Sequence, residues 1–276
     1  MLSFSVNEEL CIHCGLCALD CPTRVIEQDR DALPVIRPEQ EELCLQCQHC
    51  LAVCPAAAIS ILGKKPEDSL PLSADSFPTF EQMTRFIRGR RSIRQYKKEN
   101  VDPSLIDRIL AALGNVPTGA NRRELTFKAI DDKAVMQRFR EKVLTVIAER
   151  LKENRIPERA VALHHAVPAY FEHGVDILFR GAPHLLVVSA PPDAPCAHED
   201  VALALAYFEL LAQSAGLGTV WCGFLKMTFE ILPELKVLLG LPPDHAYYAM
   251  LFGLPAVRFP RTVQRDTAAK VERMKI

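Results

Sequence analysis

The chain has 276 residues, enough for one to two domains, and its 49% hydrophobic content suits packed cores rather than disorder. Its net charge of −1 is unevenly divided: residues 1–63 hold nine acids and three bases, a net of −6, so the remainder carries +5. An acidic N-terminal module argues against nucleic acid as partner, and the longest apolar runs, such as VALALAYFELLAQSAG, are broken by Glu209 and Gln213, so no membrane span is expected.

The opening MLSFSVNEEL has neither a basic n-region nor an apolar h-region, so no signal peptide is visible and a cytoplasmic location is expected. Cys11, Cys14, Cys17 and Cys21-Pro22 then form a C-x2-C-x2-C-x3-C-P run, and Cys44, Cys47, Cys50 and Cys54-Pro55 repeat it 33 residues later at every ligand position. Zinc modules usually present separated C-x2-C pairs, and a disulfide framework needs an oxidising compartment. Two sets of four thiolates instead match two [4Fe–4S] clusters. His13 and His49 lie inside the runs but are surplus to both sets. Residues 1–63 resemble the bacterial two-cluster ferredoxins. That resemblance implies a crossed ligand set: Cys11, Cys14, Cys17 and Cys54 on cluster I, and Cys44, Cys47, Cys50 and Cys21 on cluster II. Val25-Ile26 and Ile59 follow the two C-P dipeptides at equivalent positions and predict a short strand in each half.

Residues 64–79, GKKPEDSLPLSADSFPTF read from Gly63, are rich in Pro, Ser, Asp and Lys and read as a linker. Residues 80–276 alternate between helix and strand signals. Helical periodicity appears around Met83–Ile87, Leu105–Leu113 and Val135–Ile147, with Asp102-Pro103 as an N-cap and first-turn proline. Apolar runs predict strands at Leu125–Ile130, His184–Ala190, Leu217–Trp221 and Tyr247–Phe252. The longest predicted helix, Glu199–Ala215, stops at Gly216. The fold class is therefore α+β, a helix-covered sheet behind a small cluster domain.

Four segments of this second domain carry candidate chemistry. Arg90-Arg91-Ser92-Ile93-Arg94, if extended, turns Arg90, Ser92 and Arg94 to one face, where two guanidiniums and a hydroxyl suit a phosphate. Read alone, such a run is more often a solvated basic face. Pro117-Thr118-Gly119-Ala120-Asn121 is a turn of small residues with one amide, able to lie flat on an aromatic ligand. The glycines of GLGTVWCG, residues 216–223, permit close backbone approach to a ligand. Gly253-Leu254-Pro255-Ala256 precedes Arg258, Arg261 and Arg265.

In this order the four segments resemble the FMN-dependent nitroreductase family over about Phe80 to Arg265. The resemblance implies that Arg90, Ser92 and Arg94 hold the FMN phosphate and ribityl, helped by Arg265 and Arg261. It places the backbone of Val220, Trp221 and Gly223 near the isoalloxazine. It also implies a homodimer in which the loop of Pro117, Thr118 and Asn121 reaches the partner's flavin. Catalytic side chains stay unassigned, because the flavin carries the chemistry. One departure is that Arg122-Arg123-Glu124-Leu125 follows Asn121, where many relatives carry an aromatic. Residues 155–180, with His164, His165 and His173, match no motif and read as helical cover. Cys196 and Cys222 read as ordinary residues, Cys222 being expected beside the flavin.

The expected function is transfer of electrons from two [4Fe–4S] clusters to FMN and on to a small organic acceptor: a nitroaromatic, quinone or activated alkene. No G-x-G-x-x-G follows a strand, so a Rossmann site is not expected. The external donor is a ferredoxin, a hydrogenase or NAD(P)H, and oxygen-sensitive clusters suggest an anaerobic setting. Reductive dehalogenation or flavin modification, and a non-enzymatic electron-transfer or redox-sensing module, remain as alternatives.

Overall fold

The computed structural model describes residues 2–265 and 269–275. The chain divides into two compact units, Met1–Pro78 with Ala120–Arg122, and Thr79–Gly119 with Arg123–Ile276.

The first unit is built from β1 (Ser5–Val6), α1 (Leu16–Asp20), β2 (Ile26–Glu27), β3 (Val35–Ile36), α2 (His49–Val53) and β4 (Ile59–Ser60). Antiparallel β1–β4 pairs Val6 with Ile59, and β2–β3 pairs Ile26 with Ile36. The two strands predicted after the cluster loops are present; their equally short partners β1 and β3 do not follow a C-P dipeptide and so carry no such mark. The core is small, centred on Leu2, Val25, Ile26, Leu51, Ile59 and Ile61 with Cys17 and Cys50. A module of this size rarely holds itself together by burial alone and usually needs metal or crosslinks.

The 33-residue repeat is also written in the backbone. Positive φ occurs at His13 (54°) and Gln46 (52°), at Gly15 (73°) and Gln48 (62°), and at Arg24 (54°) and Ala57 (52°). Each pair is 33 residues apart. Left-handed residues other than glycine are costly, and they persist where surrounding structure imposes them. Five of these six residues are not glycine, so the loop path itself is repeated despite side chains that resist it.

The second unit contains α3 (Phe80–Gly89), α4 (Pro103–Ala112), β5 (Thr126–Ile130), α5 (Lys133–Lys152), α6 (Val161–His173), β6 (His184–Ala190), α7 (Ala197–Ser214), β7 (Gly218–Trp221), α8 (Gly223–Ile231) and β8 (Ala246–Gly253). The sheet is fully antiparallel with order β5-β6-β8-β7. Every residue of β6 is buried. Alternation explains this: Leu185 and Val187 join one core with α5, α6 and α8, whereas Leu186, Val188 and Ala190 join another with α4 and α7. The same division sends Ala249 and Leu251 of β8 to the first core, and Met250 and Phe252 to the second. Central strands covered on both faces therefore read as continuous apolar runs.

Local chemistry fixes the element ends. Asp102 accepts from the Ser104 N–H at 2.9 Å ahead of Pro103. At α3, Thr79 Oγ1 accepts from the Gln82 N–H at 3.2 Å, and Gln82 Oε1 accepts from the Thr79 N–H at 2.9 Å. Helix α7 stops before Gly216, whose φ of 77° needs no strain in glycine. The segment of residues 155–180 holds α6 and then a tight turn before β6.

Candidate functional site

In the first unit, Cys11, Cys14, Cys17 and Cys54 line one enclosed space. Three come from the first run and the fourth from the second. Backbone amides point at sulfur: the Gln46 N–H approaches Cys44 Sγ at 3.4 Å, and the Ala58 N–H approaches Cys54 Sγ at 3.3 Å. Burial acts to raise the Cys21 thiol, but the Val25 amide and the Thr23 hydroxyl outweigh it and pull its pKa below the ordinary value. Such donors favour thiolate and tune the potential of a cluster held there. Among the described residues no three His, Cys, Asp or Glu side chains gather as a single bound ion demands. His13 and His49 are both exposed; their rings meet the Ala32 carbonyl and the Asp20 carboxylate, each at 3.1 Å.

In the second unit the site grows around β7. Ser92 bridges Thr219 in parallel, with the Ile93 N–H donating to the Thr219 carbonyl at 2.8 Å. Gly218 makes this approach possible, because a Cβ there would lie 2.7 Å from the Ile93 side chain. The contact carries the basic segment onto the edge of the sheet.

Glu209 of α7 lies beneath that contact. This buried carboxylate accepts from Arg90 Nη1 at 3.1 Å, Trp221 Nε1 at 3.2 Å and Thr219 Oγ1 at 3.4 Å. A second buried acid of the same helix, Asp200, accepts the Gly119 N–H with both oxygens, at 3.0 and 3.1 Å. Beyond Gly119, Ala120 and Asn121 belong to the first unit and adopt φ of 50° and 54°, with Asn121 Nδ2 donating to the Leu45 carbonyl at 2.7 Å; within the second unit, Thr118 Oγ1 accepts from the Arg123 N–H at 3.0 Å. Thr118 and Asn121 are half-buried, and Pro117 is exposed.

Two cavities flank the basic segment. One, of about 480 Å³, is lined by Arg94, Arg180, Val220, Trp221, Gly223 and Phe224 among others. The other, of about 490 Å³, brings together Arg85, Arg91, Gly218, Thr219 and Arg258.

A nitroreductase family model matches residues 87–254, and a 4Fe–4S dicluster domain model matches residues 10–59. The chain belongs to the nitroreductase family. Among solved structures, this nitroreductase-family chain is similar to a nitroreductase with bound FMN from Bacteroides fragilis, at 23% identity and TM-score 0.53, covering 69% of this chain and 99% of that one. It is also similar to a nitroreductase with bound FMN from Desulfitobacterium hafniense, at 25% identity and TM-score 0.52, covering 68% and 97%. Iodotyrosine deiodinase 1 from Sus scrofa is 25% identical over 193 residues; the chain spans 64% of that relative's length.

Within the nitroreductase unit, the predicted site residues fall into separate groups. Arg94, Val220, Trp221 and Gly223 converge on one cavity. Arg90 and Ser92 line neither cavity: Arg90 is turned to Glu209, and Ser92 is held against Thr219. The single face expected from an extended strand is lost because the segment makes only one bridge there, so strict alternation does not apply. Arg261 and Arg265 are exposed, and it is Arg258 that reaches a cavity. Arg91, Arg258 and Arg180 were not singled out by sequence. For Arg91 and Arg258 the signal was the basic run and the arginines after Gly253-Leu254-Pro255; Arg180 had none. Cys222 is buried with its thiol toward the Leu178 carbonyl at 3.7 Å, and burial pushes its pKa up to about 12. A neutral, enclosed thiol is a packing group. His164 meets the Pro157 carbonyl at 3.2 Å, while His165 and His173 are exposed.

The residues fit the cofactors. A guanidinium and the Val220–Gly223 backbone share a cavity wide enough for an aromatic ring system, and further guanidiniums stand in the adjacent cavity. The four cysteines around one space fit a cluster rather than a single ion.

Proposed function

We propose that this chain takes single electrons through its two [4Fe–4S] clusters and uses them to reduce a small organic acceptor at the flavin site, the acceptor being a nitroaromatic, a quinone or an activated alkene. Its class is that of an FMN-dependent oxidoreductase of the nitroreductase family carrying a 4Fe–4S dicluster domain. The observation that carries the reading is the crossed cysteine set, Cys11, Cys14, Cys17 and Cys54, around one space in a chain whose second unit has the nitroreductase fold.

Bound FMN supplies the conversion between one-electron and two-electron chemistry. The protein supplies placement. Arg94 and the amides of Val220–Gly223 offer positive potential to a reduced ring. The cationic groups Arg85, Arg91 and Arg258 offer charge to a phosphate. Cys11, Cys14, Cys17 and Cys54 ligate one cluster, and Cys44, Cys47, Cys50 and Cys21 the other. Tethering keeps the clusters concentrated near the acceptor unit. An external ferredoxin, hydrogenase or NAD(P)H loads the clusters in an anaerobic cytoplasm.

The reading includes a homodimer. Leu203 and Tyr207 expose an apolar face on α7 opposite its buried one, the kind of surface a second copy covers. Reductive removal of a halogen is a second reading, favoured by the similarity to iodotyrosine deiodinase 1.

The test is anaerobic turnover. Reconstituted protein is reduced stoichiometrically, then mixed with nitroaromatic, quinone, alkene and iodophenol acceptors, while cluster and flavin absorbance and products are followed. Reoxidation with matching product supports the reading. Clusters that stay reduced with every acceptor overturn it.

A further inference from the structure

Two guanidiniums, Arg94 and Arg180, line the cavity beside β7 and the start of α8, and among the described residues no Asp or Glu lines it. Arg94 belongs to the segment already read as facing the flavin. Arg180 has no assigned task, yet its position is tightly determined. It sits at φ 55° directly before Gly181 at φ 64°. An arginine in the left-handed region is strained and persists only when neighbouring structure imposes it.

That structure is visible. Asp176 Oδ1 accepts from the Phe179 N–H at 2.8 Å, and Oδ2 accepts from the Gly181 N–H at 2.9 Å. Arg140, buried like Asp176, donates from Nε to the same Oδ2 at 2.7 Å and from Nη2 to the Ala182 carbonyl at 2.7 Å. A buried ion pair therefore clamps both sides of Arg180. The guanidinium is laid over the Phe224 ring, 5.8 Å from its centroid. Asp176, the acid on the same turn, is already taken up by Arg140 and two amides, and among the described residues Arg180 has no carboxylate partner.

We infer that Arg180 is a specificity-determining residue that selects an anionic acceptor, an aromatic or conjugated molecule whose carboxylate pairs with the Arg180 guanidinium while its reducible end faces the flavin. This rests on the reductase reading above and adds the charge of the substrate. Leu178, Phe224 and Met227 supply the apolar wall for the ring. A guanidinium on a fixed backbone, laid over an aromatic face, can recognise a carboxylate in a bidentate, geometry-selective way that a lysine ammonium does not.

The experiment compares 4-nitrobenzoate with its neutral near-isostere 4-nitrobenzamide on the full-length holoenzyme under anaerobic conditions. Wild type should favour the benzoate in kcat/KM. Arg180→Gln should lower benzoate reduction by about ten- to 150-fold, chiefly through KM, as loss of a charged hydrogen bond implies. It should affect the benzamide far less, and Arg180→Lys should recover part of the benzoate activity by keeping the charge. A second readout needs no turnover: Trp221 is the only tryptophan and lines the same cavity, so its fluorescence reports titration with benzoate or benzamide. Benzoate that binds through Arg180 while neither nitro compound is reduced would sink the reductase reading and leave this inference standing. Reduction of both compounds with equal effects of Arg180→Gln, or wild type binding benzoate no better than benzamide, overturns the inference and leaves the reductase reading intact. If Arg180→Gln fails to fold, the wild-type preference and the lysine variant decide.

Discussion

Replacing Glu209 by Gln keeps the side-chain volume and removes the charge beneath the basic segment. In the wild type its two oxygens accept from three donors: Arg90, Trp221 and Thr219. An amide has one acceptor oxygen, so its NH2 group must face at least one of those donors. The bond to Arg90 is charge-assisted, a class worth about 1.5–3 kcal/mol, and a neutral bond adds about 1 kcal/mol. The Arg90 side chain is 34% exposed and Glu209 9%, so water compensates the arginine in part while the acid's side is left uncompensated. The expected loss is about 2 kcal/mol of unfolding free energy. Urea unfolding followed by Trp221 fluorescence measures it, since this lone tryptophan donates to Glu209 directly. A double-mutant cycle with Arg90→Ala should give a coupling of about 1 kcal/mol or more. Unchanged stability, or a coupling near zero, would refute the idea that Glu209 holds Arg90.

Other outcomes follow from the same geometry. Cys11→Ser and Cys54→Ser, singly or together, should each lower iron from about eight toward about four per chain, whereas Cys11→Ser with Cys21→Ser should remove nearly all of it; iron analysis giving the opposite pairing refutes the crossed ligand set. Gly218→Ala should destabilise by about 1–3 kcal/mol, because the new methyl meets Ile93 at 2.7 Å, and Ile93→Ala in the same chain should recover part of this in urea titrations. The Cys222 thiol has its pKa raised from 9.0 to about 12 by burial, so its stabilisation is complete below about pH 9 and is lost as pH rises toward 12. Cys222→Ala should flatten that alkaline slope in thermal melts, and an unchanged slope would show that other groups cause it.

The legible parts of the fold were those in which one residue type answers one physical need. The cysteine spacing specifies its clusters, and the apolar runs specify strands β6 and β8 to within a residue or so, because both faces of those strands are covered. The Asp102-Pro103 pair marked the start of α4 for the same reason. Strand order was not legible, since β8 pairs with β6 on one side and β7 on the other and nothing in these apolar runs marks its partner. Arg180 was opaque because its position depends on Arg140, 40 residues earlier, pairing with Asp176. The direction taken by Arg90 was opaque because its partner lies 119 residues away.

The two buried acids of α7 show why such information sits outside the motifs. Glu209 appeared in the sequence only as an interruption of an apolar run, yet a carboxylate inside a core is costly unless donors satisfy it. Its donors are Arg90, Thr219 and Trp221, drawn from two of the segments assigned to the flavin site. Asp200, at the other end of the helix, satisfies itself on Gly119 in a third segment. Each acid therefore cross-braces residues distant in the chain, and the cost of leaving it unpaired fixes those residues to α7. The geometry of these segments is set as much from beneath, by one helix, as by the residues that face the cavity.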